Sequence, residues 1–206
     1  MNWESLITLS LFVSPGLFAD EYKIDGSHSK AGFAVKHLMV STVRGDFSKV
    51  SGTIVYDEKN PAATKVNAII DVTAVNTNEP KRDEHLKSPD FFDVAKFPTI
   101  TFVSKSAKKT ADGIAVTGDL TIHGVTKEVV LNVDGPTAEV KDPWGNVRRG
   151  ATATTKINRK DFGLTWNKAL ETGGVMVSDE VAITVDVEGV KAEFRAAIKA
   201  AREATV

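Results

Sequence analysis

Four histidines, His28, His37, His85 and His123, are the side chains of this 206-residue chain best suited to hold a metal ion or move a proton near neutral pH. They stand far apart, without the H-x-x-x-H or H-x-H spacing that sets two imidazoles on one surface. Spacing therefore gives no metal site, although three distant histidines could still converge inside a closed sheet. Nucleophiles are also missing. The chain has no cysteine, which removes thiolate metal sites, thiol nucleophiles and disulfides, and no G-x-S-x-G elbow presents a serine. The stretches TGDLTIHG and TGGVMVSD lack the lysine and following helix with which a P-loop grips phosphate, and they read as bulges or turns. No catalytic residue and no cofactor is expected.

What remains is the chemistry of excluding water, and one strand raises it directly. Residues 148–158, RRGATATTKIN, alternate Ala151, Ala153, Thr155 and Ile157 with Thr152, Thr154, Lys156 and Asn158. Whichever side points inward contributes little volume before Ile157. The interior of a barrel of about eight strands is just wide enough to fill with its own side chains or to hold one small ligand. A strand of Ala and Thr tips that balance toward a hole. The alternative is that neighbouring aromatic rings, drawn from ten phenylalanines, fill the space.

The elements that would position this strand are short alternating runs. Ile114, Val116, Leu120 and Ile122 share one parity, and Val181, Ile183, Val185 and Val187 repeat the arrangement; Ile100 and Phe102 give a third case. The run KVNAIIDVTAV puts Ile69 and Val75 opposite Val66, Ile70 and Val72, which predicts a strand covered on both faces. Turn signals at Asp112-Gly113, His123-Gly124, Asp134-Gly135 and DPWGN keep the connections short. About eight strands joined as neighbours suit an antiparallel up-and-down barrel, which leaves no exposed edge. Pro80 and the early acidic residues of NEPKRDEHLK predict a short helix capping one end of the sheet. The tail, residues 190–206, places Phe194, Ile198 and Ala201 on one face of an amphipathic helix.

Composition narrows the partners. Lys and Arg number 26 against 27 Asp and Glu, net −1, with no block of like charge to attract nucleic acid. Residues 1–19 hold an apolar run from Leu6 to Phe18, too short to span a bilayer, broken by Pro15 and Gly16 before small Ala19. This reads as a secretory signal whose basic n-region lies upstream of the present start. Residues 20–189 then form one domain.

Several motifs, in order, carry a resemblance: VKHLMVSTVRGDF, RDEHLKSPDFFDVAKFPTITFVS, GDLTIHGVTKEVVL, DPWGN and NRKDFGLTWN. Together they resemble the YceI-like family. The resemblance implies an all-β, antiparallel, eight-stranded lipocalin-like barrel, here with a short capping helix and a C-terminal helix beyond the family's usual end. It also implies a protein exported to the periplasm or outside, which binds, stores or transports a polyisoprenoid, an isoprenoid quinone or a similar long-chain lipid without catalysis.

On that reading the tunnel is lined by Phe33 and Val35 on one strand face, with Leu38, Met39 and Val43 at near-helical spacing as a lid over the mouth. Phe91, Phe92, Phe102, Leu120 and Ile122 line its middle, and Ile157, Phe162, Trp166 and Met176 complete it. His37 and Arg44 flank the lid, and Arg44 is the best candidate for a phosphate or quinone oxygen because a guanidinium offers forked donors. Arg82 with Asp83, and Arg159 with Asp161, read as ion pairs or backbone caps. Two rivals stay open: an enzyme acting on a hydrophobic substrate through a carboxylate with His37 or His123, and a filled barrel serving as an interaction module. A homodimer and a transient membrane contact are compatible with the sequence. Mass spectrometry of the exported protein checks the signal segment: a mature form beginning at Asp20 is expected, and one retaining Met1 rules cleavage out.

Overall fold

Each alternating run can bury only one face, so the runs pair side by side and turn that face toward a shared interior. The computed structural model describes residues 19–171 and 174–192. Its strands are β1 (Asp20–Ile24), β2 (Lys30–His37), β3 (Ser41–Phe47), β4 (Val50–Tyr56), β5 (Lys65–Asp71) and β6 (Val75–Asn76), followed by helix α1 (Pro80–Lys87). Then come β7 (Thr99–Lys109), β8 (Gly113–Ile122), β9 (Val125–Asp134), β10 (Val140–Lys141), β11 (Val147–Asn158) and β12 (Val177–Lys191). All pairings are antiparallel.

Twelve strands reduce to eight staves because four staves are each built from two strands, β10 continuing β9 along the edge of β11. β1 and β2 lie along the same edge of β12, with Ile24 opposite Gly189 and Lys30 opposite Asp186. β4 and β3 continue one another against them, and β5 and β6 do the same one step further round. Between β5 and β6 the bend is a short 3-10 turn (Val72–Ala74), capped where the Asp71 carboxylate accepts from the Thr73 N–H. β12 closes the ring on β11, from Arg148 opposite Val190 to Asn158 opposite Glu180. The expected eight-stranded antiparallel barrel is therefore present. The ladder between β9 and β11 is short, joining only Asp134, Val133 and Asn132 to Thr152, Ala153 and Thr154.

One end of the barrel carries α1, the β2–β3 hairpin tip and the segment after β11. The other carries the start of β1 and the end of β12. Pro80 opens α1, and the Glu79 side chain accepts from the Lys81 N–H, as the first turn of a helix requires. Inward parity follows the expected pattern: Ile114, Val116, Leu120 and Ile122 are buried. Gly118 sits where a Cβ would fall 2.6 Å from the Phe102 ring, so the absence of a side chain there makes room for the ring. Every fully buried Val, Leu, Ile or Phe on this inner face contributes roughly 1.5–3 kcal/mol.

Three expectations change. β5 is not covered on both faces: Ile69 is 42% exposed, and Val75 reaches the core because the 3-10 turn resets its parity. The segment at Leu38 and Met39 is a hairpin tip with φ of 52° and 60°, not a near-helical lid, and Val43 pairs with Val35 inside β3. The domain boundary at 189/190 runs through β12, where Val190 and Lys191 are strand residues paired with β1. The rest of the expected C-terminal helix and residues 1–18 of the expected signal lie outside the described residues.

At the end bearing the β12 terminus, Arg148 clamps three chain segments. It donates from Nε to Asp142 at 2.8 Å and from one terminal nitrogen to Asp25 at 2.7 Å and Glu188 at 2.5 Å. Burial would raise the Asp142 pKa, but hydrogen bonds from Arg148 and Asn146 outweigh it and leave the carboxyl at about 2. A carboxyl depressed in the folded state adds stability above its unfolded pKa of about 4 and loses it as the pH falls through the folded value. Arg148→Met should flatten the fall of Tm between pH about 4 and about 2; parallel acid limbs for the two proteins would show that the clamp contributes nothing.

Candidate functional site

The inward faces do not meet along the barrel axis. They enclose a cavity of about 270 Å³, to which every stave contributes. This lies just below the range for ligand pockets, about 300–1,000 Å³. Its origin is the strand singled out by sequence: Ala151, Ala153, Thr155 and Ile157 all face the hole, next to the backbones of Gly150 and Gly189. Beside them on the neighbouring stave, Val181, Ile183, Val185 and Val187 also line the hole. The rings that could have filled the space pack along the wall instead, Phe33 on Phe47 at 5.6 Å and Phe47 edge-on to Phe92 at 5.7 Å.

Each end is closed differently. At the helix end, Leu86 from α1 and Phe91 and Phe92 just after it face the cavity. Beside them Arg159, only 4% exposed, opens a 3-10 turn (Arg159–Phe162) and spends its donors on backbone. It donates to the carbonyls of Ser178 at 3.0 Å, Leu164 at 2.6 Å, Trp166 at 2.8 Å and Val177 at 3.5 Å, and to Asp179 at 3.4 Å. Burial lowers its pKa while Asp179 raises it. Arg159 thus caps loop carbonyls that would otherwise be buried unpaired.

At the opposite end the wall is Tyr22, Tyr56 and Arg149. The Tyr22 hydroxyl donates to Glu139 at 2.7 Å and accepts from Arg149 Nε at 3.1 Å. Arg149 also donates to the Thr137 carbonyl at 3.0 Å and to Glu58 at 2.8 Å, and its guanidinium lies 5.4 Å from the Tyr56 ring centre. Lys191 bridges Glu139 at 2.9 Å and Asp20 at 2.7 Å. Burial, reinforced by the bond to Glu139, pushes the Tyr22 phenol up to about 12. Hydrogen bonds from Lys191 and Tyr22 hold Glu139 below its ordinary value. The pair is driven away from neutrality in opposite directions, whereas a general acid or base works best with a pKa near the operating pH.

Of the residues singled out by sequence, Phe33, Val35, Phe91, Phe92, Phe102, Leu120, Ile122 and Ile157 line the cavity. The others do not. Leu38 and Met39 are 37% and 64% exposed at the hairpin tip; His37 and Val43 flank it, and Arg44 points outward into solvent. Phe162 is buried in the turn packed against β9. Trp166 packs edge-on to His85 and tilted against Phe91 at the helix end, and the Met176 carbonyl joins the hairpin by accepting from the Leu38 N–H. Arg82 and Asp83 do not pair with each other; both bond to Thr77, Asp83 accepting its N–H. Parity could have found Arg149, two residues before Ala151 on the same face, and Tyr22, two before Ile24. Arg159, two after Ile157, also falls on that parity, although it already opens the turn that follows β11.

The histidines stay apart. Among the described residues one group gathers metal-ligating types, Asp25, His28 and Glu188, and the Arg148 guanidinium already bridges its two carboxylates.

Comparison with known proteins agrees with this architecture. The sequence profile of the YceI-like domain matches residues 22–189. The chain is 43% identical over 183 residues to the protein YceI of Salmonella newport, covering 88% of this chain and 92% of that one. The crystal structure of a Campylobacter jejuni YCEI protein is similar with a TM-score of 0.64 at 33% identity, covering 77% of this chain and 90% of that one. A polyisoprenoid binding domain from Saccharophagus degradans shares the fold, with a TM-score of 0.61 at 18% identity over 83% and 98% of the two chains.

The protein has two tyrosines. In an ultraviolet titration one of them is expected to ionise only near pH 12, and Tyr22→Phe should abolish that step. Two phenols ionising together at about 10 would show that Tyr22 does not hold its proton through the wall network.

Proposed function

Because the chain belongs to the YceI-like family, whose domain spans residues 22–189, we propose that it is a non-enzymatic carrier that holds a long-chain isoprenoid or related lipid inside the barrel. The observation that carries this reading is the cavity of about 270 Å³ with an almost wholly apolar wall. Such a hole is costly when empty, about 24 cal/mol per Å³ where a core has been hollowed by mutation, and a guest restores the missing dispersion contacts. Burial contributes about 0.8 kcal/mol per CH₂-sized group. A dozen carbons then supply on the order of 10 kcal/mol before the cost of ordering the chain. Hydrophobic burial suffices to hold the ligand.

The rival readings have less support. A filled barrel does not match the open interior. Catalysis would call for a proton-transfer group poised near neutrality on the wall, and Tyr22 with its partner Glu139 sits far from it.

The carrier acts in the periplasm or outside the cell. Supporting this, the expected cleavage after Ala19 would fall immediately before Asp20, the first residue of β1, leaving the barrel whole. Loading and release take place by transient contact with a membrane. The β2–β3 tip suits that contact: Leu38, Met39 and Val40 are 37%, 64% and 82% exposed, between outward-facing Lys36 and Arg44 that match anionic head groups.

Native mass spectrometry and lipid extraction of the purified protein should find an apolar long-chain molecule bound to the barrel. Ala153→Phe, which places a ring in the cavity, should weaken lipid binding by about tenfold or more without lowering Tm. Undiminished binding by this filled variant would overturn the carrier reading.

A further inference from the structure

The cavity wall meets two guanidinium groups, Arg149 at one end and Arg159 at the other. Either could be taken for the anchor of an anionic head group. Their hydrogen bonds say otherwise. Arg159 directs its donors at four carbonyls and at Asp179, which leaves no N–H for a ligand. Arg149 has spent one donor each on Tyr22, the Thr137 carbonyl and Glu58, so two of a guanidinium's five N–H groups remain without a partner among the described residues.

The charge around Arg149 is already more than balanced. Two cations, Arg149 and Lys191, are paired there with three carboxylates, Glu58, Glu139 and Asp20. A phosphate ester, with about −1.5 to −2 charge at neutral pH, would have to displace Glu58 or settle beside Glu139. An uncharged oxygen meets no such opposition. It can accept the spare Arg149 donors or the hydroxyl of Tyr56, for which no hydrogen bond is found among the described residues.

From this arrangement, and resting on the carrier reading above, we infer that the Tyr22–Tyr56–Arg149 end of the cavity receives the polar end of the ligand and selects an uncharged alcohol or carbonyl oxygen over a phosphate. Glu58 acts as the gatekeeper of that choice. It is 73% exposed, and its pairing with Arg149 at 2.8 Å keeps the guanidinium neutralised.

The test compares farnesol, farnesyl phosphate and the hydrocarbon farnesene by displacement of a fluorescent fatty-acid probe. Farnesol is expected to bind about tenfold or more tightly than farnesyl phosphate. Glu58→Gln should raise the affinity for the phosphate and narrow the gap. Arg149→Gln should bring farnesol several-fold down toward farnesene, and Glu58→Gln provides an exposed site should Arg149→Gln disturb folding. A phosphate that binds as tightly as the alcohol, or an unchanged phosphate affinity in Glu58→Gln, overturns the head-group selection while leaving the carrier intact. Failure of all three compounds to bind, farnesene included, overturns both.

Discussion

Closure of the ring sets everything else. The long register between β11 and β12, unbroken from Arg148 to Asn158, joins the last stave to the sheet that began with β1 and β2. Once the ring has shut, its circumference is fixed by the number of staves and their stagger, not by the side chains inside. Interior volume and side-chain volume become independent quantities. Here the second falls short of the first, because one stave offers Ala151, Ala153 and Thr155 where Leu or Phe would have met the opposite wall.

Polar chemistry is consequently pushed to the two ends. Along most of the staves the backbone is paired in antiparallel ladders, and the inward side chains carry few polar atoms. At the ends the chain must turn, and turning exposes carbonyls that cannot reach water. Arg159 gathers those of the segment after β11, while Arg149 and Tyr22 tie the other end to Glu58, Glu139 and Lys191. Among the described residues no buried side-chain nitrogen or oxygen is left without a partner. A greasy interior between two hydrogen-bonded rims is what allows a cavity to persist in a protein of otherwise ordinary composition.

Much of this was legible in the letters. The parity of β8 and β12, the strand of Ala and Thr, the helix opened by Pro80 and the order of the family motifs pointed to a closed barrel with a hole. Side chains on regular strands follow from period two alone, which is why Phe33, Val35, Phe102, Leu120, Ile122 and Ile157 lie on the cavity wall. The misplaced residues sit where that period stops. Leu38 and Met39 look helical in spacing, but positive φ at both makes a hairpin of them. Phe162, Trp166 and Met176 belong to the long segment between β11 and β12, whose path depends on Arg159 bonding to its carbonyls. Arg44 read as a ligand for head groups from its charge, yet its strand parity turns it to solvent.

The ladder between β9 and β11 contains only three residue pairs, against the ten that join β8 to β9. Even with the two pairs of β10 added, parting the wall along that line breaks fewer ladder pairs than parting β8 from β9, so the barrel has a seam as well as two rims. Phe162, wedged in the turn beside β9, covers its upper part. An opening of the wall would begin more readily along that seam beside Phe162 than between the long ladders, so the cylinder is not equally strong all the way round.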